Sequence, residues 1–204
     1  MVTVKICGIT RLEDAERCLA LDVEWLGLNF WPGSKRRCGL SEARRIVDAV
    51  GERARVVGVF VDASVEAMRN VLAETGVGLA QLHGEESVET LDAMLPHAFK
   101  ALRATGPAVL ELARRYGGEH LLLDAHVPGT VGGTGVVCDW DLAAELARVR
   151  PLTLAGGLTA ENVGAAIAHV RPARVDVASG VESAPGHKDA ALLAAFVSAV
   201  RHAG

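Results

Sequence analysis

Cys7 closes the apolar run Val2 to Cys7 and is followed at once by Gly8 and a helical stretch, a setting in which exposed backbone N–H groups would favour a thiolate. The competing reading is a small inert hydrophobe, which suits Cys18, inside a helix, and Cys138 better; Cys38, in a loop, is left open. Asp124 ends Leu121-Leu122-Leu123, where a carboxylate aimed into apolar packing would be heavily penalised, so it must face an opening or meet a partner. Arg36 can grip a carboxylate through two parallel hydrogen bonds, whereas Lys35 and Arg37 read as a solvated surface run. Gln81 and His83 flank Leu82 and share one side of a strand, as ligand contacts or as a buried hydrogen-bonded layer. Two joints of small residues, Gly156-Gly157 and Ser179-Gly180, would expose backbone N–H groups to an anion such as phosphate; a tight turn is the plainer role for either one alone. Asp62, just before Ser64, reads as a cap or a loop hydrogen bond.

The elements that must position these groups alternate regularly. Apolar runs read as strands at Val2 to Cys7, Glu24 to Phe30, Arg55 to Val61, Gly78 to His83, Ala98 to Arg103, His120 to Ala125, Leu152 to Gly156 and Arg174 to Ser179. Amphipathic stretches separate them, the early ones announced by Thr10, Ser41, Ser64 and Ser87 as N-terminal caps. Strands that read as near-continuous Val/Leu/Ile runs belong to a parallel sheet covered on its outer face. Eight such βα units predict a closed α/β barrel, a (β/α)8 TIM barrel in a single domain over residues 1–204. An open doubly wound sheet is the main competitor, but its dinucleotide-binding form carries G-x-G-x-x-G after the first strand, and Cys7-Gly8-Ile9-Thr10 does not match. In a barrel the working groups gather where strands end, and the last two loops commonly hold phosphate. The Gly-rich segment from Gly129 to Gly135 lacks the Lys-Ser/Thr ending of a P-loop and reads as a mobile loop over that site.

A net charge of −4 offers no overall basic field for nucleic acid or an anionic membrane. The start, MVTVKICGIT, has no signal-peptide pattern, no apolar run is long enough to span a bilayer, and the four scattered cysteines show neither a disulfide framework nor zinc-ligand spacing. A cytoplasmic protein without a bound metal is the expectation. Few Asn and Gln beside abundant Arg and Ala fit heat adaptation or GC-rich coding equally well.

Specific blocks go further. VKICGIT, NFWPGSKR, VGVFVD, QLHGEE, LLLDA with GGTG, LAGGLTAENV and VDVASGVESAPGHKD resemble the phosphoribosylanthranilate isomerase family along nearly the whole chain. The chain departs from the family at Arg37-Cys38-Gly39, where an aromatic and a β-branched residue are common after SKR, and at Ala178, often Ser. The resemblance implies a cofactor-independent Amadori rearrangement of N-(5-phosphoribosyl)anthranilate to 1-(2-carboxyphenylamino)-1-deoxyribulose 5-phosphate, a step of tryptophan biosynthesis. It implies Asp124 as general acid, Cys7 as general base, and Arg36 on the anthranilate carboxylate. Gly156, Gly157, Ser179 and Gly180 would take the phosphate, while Gln81, His83 and Asp176 would meet the sugar or shape the pocket. The partner is then a small phosphosugar–anthranilate molecule, and the protein a monomer or homodimer. An epimerase or indole-glycerol-phosphate synthase would share the phosphate loops but not the Cys7 and Asp124 pairing. A noncatalytic phosphosugar-binding barrel would be expected to lose the acid or base first.

Overall fold

The computed structural model describes residues 1–104, 106–124 and 140–204. The segment from Gly129 to Gly135 and Cys138 therefore lie outside the described residues. Eight strands close into one parallel barrel in chain order: β1 (Thr3–Cys7), β2 (Trp25–Asn29), β3 (Arg55–Phe60), β4 (Leu79–Leu82), β5 (Ala98–Arg103), β6 (Leu121–Asp124), β7 (Leu152–Ala155) and β8 (Arg174–Val177). β8 returns to β1 in register, Lys5 opposite Asp176, which removes every free edge of the sheet. Each predicted strand is present, β5 with the expected bounds and the others within two residues of them, while Ala125, expected to end β6, lies outside the described residues.

Helices α1 (Leu12–Ala20), α2 (Leu40–Val50), α3 (Val65–Thr75), α4 (Val88–Asp92), α5 (Ala108–Arg115), α6 (Trp140–Ala147), α7 (Val163–Val170) and α8 (Ala190–Ala203) follow the strands in turn. After β8 the chain makes a short 3-10 turn, Ser179–Val181, and a small hairpin of β9 (Glu182–Ala184) and β10 (His187–Lys188) before α8. Ser64 and Ser87 cap α3 and α4 by accepting from Ala67 N and Thr90 N. Thr10 and Ser41 do not cap. Thr10 Oγ1 instead donates to Gly186 O at 2.6 Å, tying the first loop to the last hairpin, and α2 starts a residue early, which puts Ser41 inside it.

The period of two along each strand divides the core. Outward residues such as Val4, Ile6, Leu26, Leu28, Leu121 and Leu123 pack beneath the helices, while Trp25, Val57, Phe99, Ala101, Leu122 and Ala155 fill the barrel interior. Lys5, Cys7, Gln81, His83, Asp124 and Asp176 share the parity of the inward residues. They form the polar upper part of the same interior, as layered filling of a barrel requires.

Candidate active site at the C-terminal mouth

Cys7 stands at the end of β1, partly exposed. Its surroundings differ from the expectation. The N–H groups of Gly8 and Ile9 both donate to Gly27 O, at 2.9 and 3.0 Å, and α1 begins only at Leu12, so neither N–H is turned to the sulfur. Burial pushes the Cys7 thiol up and prevails; the Lys5 ammonium, and after it Lys188, pull against it, while Asp176 adds to the rise. Thiolate character at this position therefore depends on buried cations rather than on a helix start.

Lys5 is buried inside the barrel, with Nζ 3.1 Å from each oxygen of Asp176. Asp176 is thus bonded from the barrel wall, through Lys5, toward the β1 end. Lys188, from β10, is equally buried. Its Nζ donates to Cys7 O at 2.6 Å, Ala178 O at 3.1 Å and Glu182 Oε1 at 2.9 Å. Glu182 in turn takes Arg36 in a two-point grip, Nε to Oε1 at 2.9 Å and Nη2 to Oε2 at 2.7 Å. The edge of Arg36 formed by Nη1 and the second Nη2 hydrogen makes no bond to another described residue, and it is the edge left for a ligand carboxylate. The stem of Arg36 crosses Gly8: a Cβ there would meet Arg36 Cδ at 2.6 Å, so only glycine admits the crossing. Lys35 and Arg37 are exposed on either side.

The departures at Arg37-Cys38-Gly39 and Ala178 are absorbed by backbone. Cys38 is buried, its N–H donating to Asn29 O at 2.8 Å, and Ala178 supplies only its carbonyl to Lys188. Across the mouth, Gln81 is fully buried and its Nε2 lies 2.8 Å from His83 Nδ1. With the amide N–H donating, the proton of a neutral His83 sits on Nε2, and that atom faces Asp124 Oδ2 at 3.8 Å. The gap is too wide for a hydrogen bond. Gln81 Oε1 has no partner among the described residues. Asp62 Oδ1 accepts from Glu85 N at 2.7 Å, a loop hydrogen bond.

Gly156 and Gly157 have φ of +102° and +65°, conformations that L side chains rarely adopt, and a Cβ on Gly157 would enter open space. Gly180 lies against Leu158 O, so loops seven and eight touch, and a side chain there would collide with that carbonyl. Among the described residues the N–H groups of Gly157, Ser179 and Gly180 donate to no backbone carbonyl. Sequence reasoning brought Cys7, Arg36, His83, Asp124 and the two small-residue joints to one mouth, but it passed over Lys5, Glu182 and Lys188. Lys5 had a signal, a charge two residues before Cys7 in the same strand. Glu182 and Lys188 stand in a hairpin that no periodicity announces.

A closed parallel barrel whose polar side chains converge on the strand C-termini has its working groups where barrel enzymes carry them. Residues 4–199 match the family model described as N-(5'phosphoribosyl)anthranilate (PRA) isomerase. The N-(5'-phosphoribosyl)anthranilate isomerase of Myxococcus xanthus is 44% identical over 205 residues, 98% of this chain and 96% of the relative. The crystal structure of phosphoribosyl anthranilate isomerase from Thermotoga maritima superposes with a TM-score of 0.90 at 38% identity, over 99% of this chain and 100% of that one. A phosphoribosyl anthranilate isomerase solved in complex with reduced 1-(o-carboxyphenylamino)-1-deoxyribulose 5-phosphate superposes at 0.87 and 36% identity, over 99% and 100% of the two chains. The chain belongs to the N-(5'-phosphoribosyl)anthranilate isomerase family.

Proposed function

We propose that the chain isomerises N-(5-phosphoribosyl)anthranilate to 1-(2-carboxyphenylamino)-1-deoxyribulose 5-phosphate, with Asp124 as general acid and Cys7 as general base. The observation that carries the reading is that β1 and β6 end in these two groups on the inward face of one mouth, the mouth that also holds Arg36 and both glycine joints. Asp124, un-ionised, gives its proton to the furanose oxygen as the ring opens and the nitrogen lone pair forms the C1 iminium. That cation acidifies the C2 proton, which Cys7 removes as thiolate to leave an enolamine. Tautomerisation then gives the ketone.

Arg36 meets the anthranilate carboxylate with its unused edge. Gly156, Gly157, Ser179 and Gly180 hold the phosphate by backbone N–H groups, and His83, steadied by Gln81, lies on the Asp124 side of the sugar. The ligand anchors are remote from the reacting carbons, so they orient the sugar between acid and base without taking part in proton transfer. A monomer or homodimer in the cytoplasm, one catalytic domain over residues 1–204, completes the reading; among the described residues no helix is long and apolar enough to cross a membrane. The test is consumption of phosphoribosylanthranilate by the purified chain, with product identified by mass and by its ketone. A protein that binds the product analogue but shows no turnover would leave a binding barrel instead.

A further inference from the structure

Lys5 is a buried ammonium that the proposed acid–base chemistry does not use. It stands two residues before Cys7 on the inward side of β1, and a Cβ placed on Gly27 of β2 would lie 2.9 Å from Cys7 Sγ and 3.1 Å from Lys5 Nζ. Sulfur and ammonium therefore crowd the same point, over the one residue type that leaves them room. The Lys5 charge pulls the Cys7 thiol toward ionisation, against the burial that pushes it up. An ammonium has three N–H donors, and two of them are directed at the Asp176 oxygens, each at 3.1 Å. A cation stripped of water keeps its charge only beside anions. Here the candidates are the Asp176 carboxylate and the Cys7 thiolate.

We propose that Lys5 is a positioning residue that stabilises Cys7 in its anionic form when it acts as the base, and that Asp176 sets how much of the Lys5 charge reaches the sulfur. The inference rests on Cys7 being the base and supplies what that base needs, since an uncharged thiol cannot take the C2 proton. The other charges facing this end of β1 complete the account. Lys188 is spent on the Cys7 carbonyl oxygen, on Ala178 O and on Glu182, and Arg36 is half neutralised by the same Glu182. Lys5 stands with its ammonium beside the sulfur, and its charge is the strongest pull on the Cys7 thiol toward ionisation. Lys5 opposite Asp176 also ties β1 to β8, and a strap that only closes the barrel is the rival explanation.

The two explanations part on the sign of two substitutions. Iodoacetamide alkylates the thiolate, Sγ bonding to the methylene carbon as iodide leaves, so the pH midpoint of Cys7 alkylation, followed by mass on the Cys7 peptide, reads its ionisation without reference to turnover. Lys5→Met removes the cation and should raise the midpoint by about one pH unit or more, the usual effect of a neighbouring charge. Asp176→Asn removes the competing anion and should lower it, because Lys5 then has the thiolate as its counterion. The acidic limb of kcat/KM should move the same two ways. A strap would give two less stable proteins whose midpoints stay together or move in one direction, and that result overturns the proposal. If Lys5→Met does not accumulate as folded protein, Lys5→Gln takes its place: a raised midpoint upholds the role, an unchanged or lower one removes it. Normal turnover by Cys7→Ala would defeat the base assignment while leaving the midpoint shifts standing. Absent shifts, with Cys7→Ala inactive, would defeat only the role of Lys5.

Discussion

At the mouth of the barrel the buried cations Lys5 and Lys188 are each held by a carboxylate, Asp176 or Glu182, and both stand beside Cys7, Lys188 donating to its carbonyl oxygen. At the opposite end the interior cation is Arg174, and it is handled differently. Its guanidinium lies 3.6 Å over the Trp25 ring and donates to the hydroxyls of Thr3 and Thr153. His120 and Phe99 meet the same indole edge-on, with ring centroids 5.4 and 6.5 Å away. Both ends bury charge, but one end pairs it with carboxylates beside Cys7, while the other stacks it against an aromatic face at the floor. Charge at the mouth should therefore control rate and affinity, and charge at the floor should control stability alone.

The widest separation should come from Cys7→Ala, which is expected to abolish turnover while product-analogue affinity stays within about tenfold, because the proposed phosphate and carboxylate anchors do not involve the sulfur. Cys7→Ser should be severely impaired as well, an alcohol being unable to ionise where a thiol can. Measuring kcat, analogue affinity and thermal stability on the same preparations settles it: a variant that keeps kcat within about tenfold returns Cys7 to packing and moves attention to His83. Next in size is Asp124→Asn. It should fold and bind normally and lose about two orders of magnitude in kcat, the scale of a positioned proton donor. Near-normal turnover there would mean that water or another group protonates the ring oxygen.

Arg36→Ala should act on affinity rather than rate, raising KM by about tenfold or more with a much smaller loss of kcat, since a clamp remote from the sugar serves ground and transition states alike. Steady-state kinetics with Arg36→Ala and Arg36→Lys sharpen the point. Lysine keeps the charge but cannot satisfy Glu182 and a ligand carboxylate with two separate edges, so it should rescue only part of the loss. An unchanged KM would reassign the carboxylate to Lys35 or Arg37.

How far such differences could be read from sequence depends on the range of the interaction. Strand positions followed from local runs such as RVVGVFV, and closure followed from their regular repetition; the β9–β10 hairpin alone among the strands was announced by no local pattern. The side chains at strand ends, Cys7 and Asp124, were legible for the same reason, because parity along a strand fixes which way they face. What escaped is non-local. Gly8 and Ile9 spend their N–H groups on Gly27, in the next strand, and Thr10 reaches Gly186 rather than capping α1. Lys188 finds Cys7 O from 181 residues away, and Glu182 finds Arg36 from 146. Such pairings are set by the closure of the barrel, which brings the last hairpin onto the first two loops, and no window of sequence contains both partners.

The smallest expected effect lies at the floor and tests its side of the comparison. Burial lowers the pKa of His120 below its usual value near 6.5, and Arg174 adds to the lowering, so the folded protein resists protonation at a pH where the unfolded chain accepts it. The unfolded state then binds more protons than the native state, and stability must fall as the pH drops from about 6.5 through the lowered native value. His120→Phe keeps an aromatic edge against Trp25 but has nothing to titrate. Its melting temperature should therefore fall less than that of the unchanged protein between about pH 7.5 and 5.5, with kcat at pH 7.5 the same in both. Taking the difference between the two proteins cancels every other titrating group. Parallel melting curves across that range would show that His120 contributes nothing through its charge, and an altered kcat would show that the floor and the mouth are coupled after all.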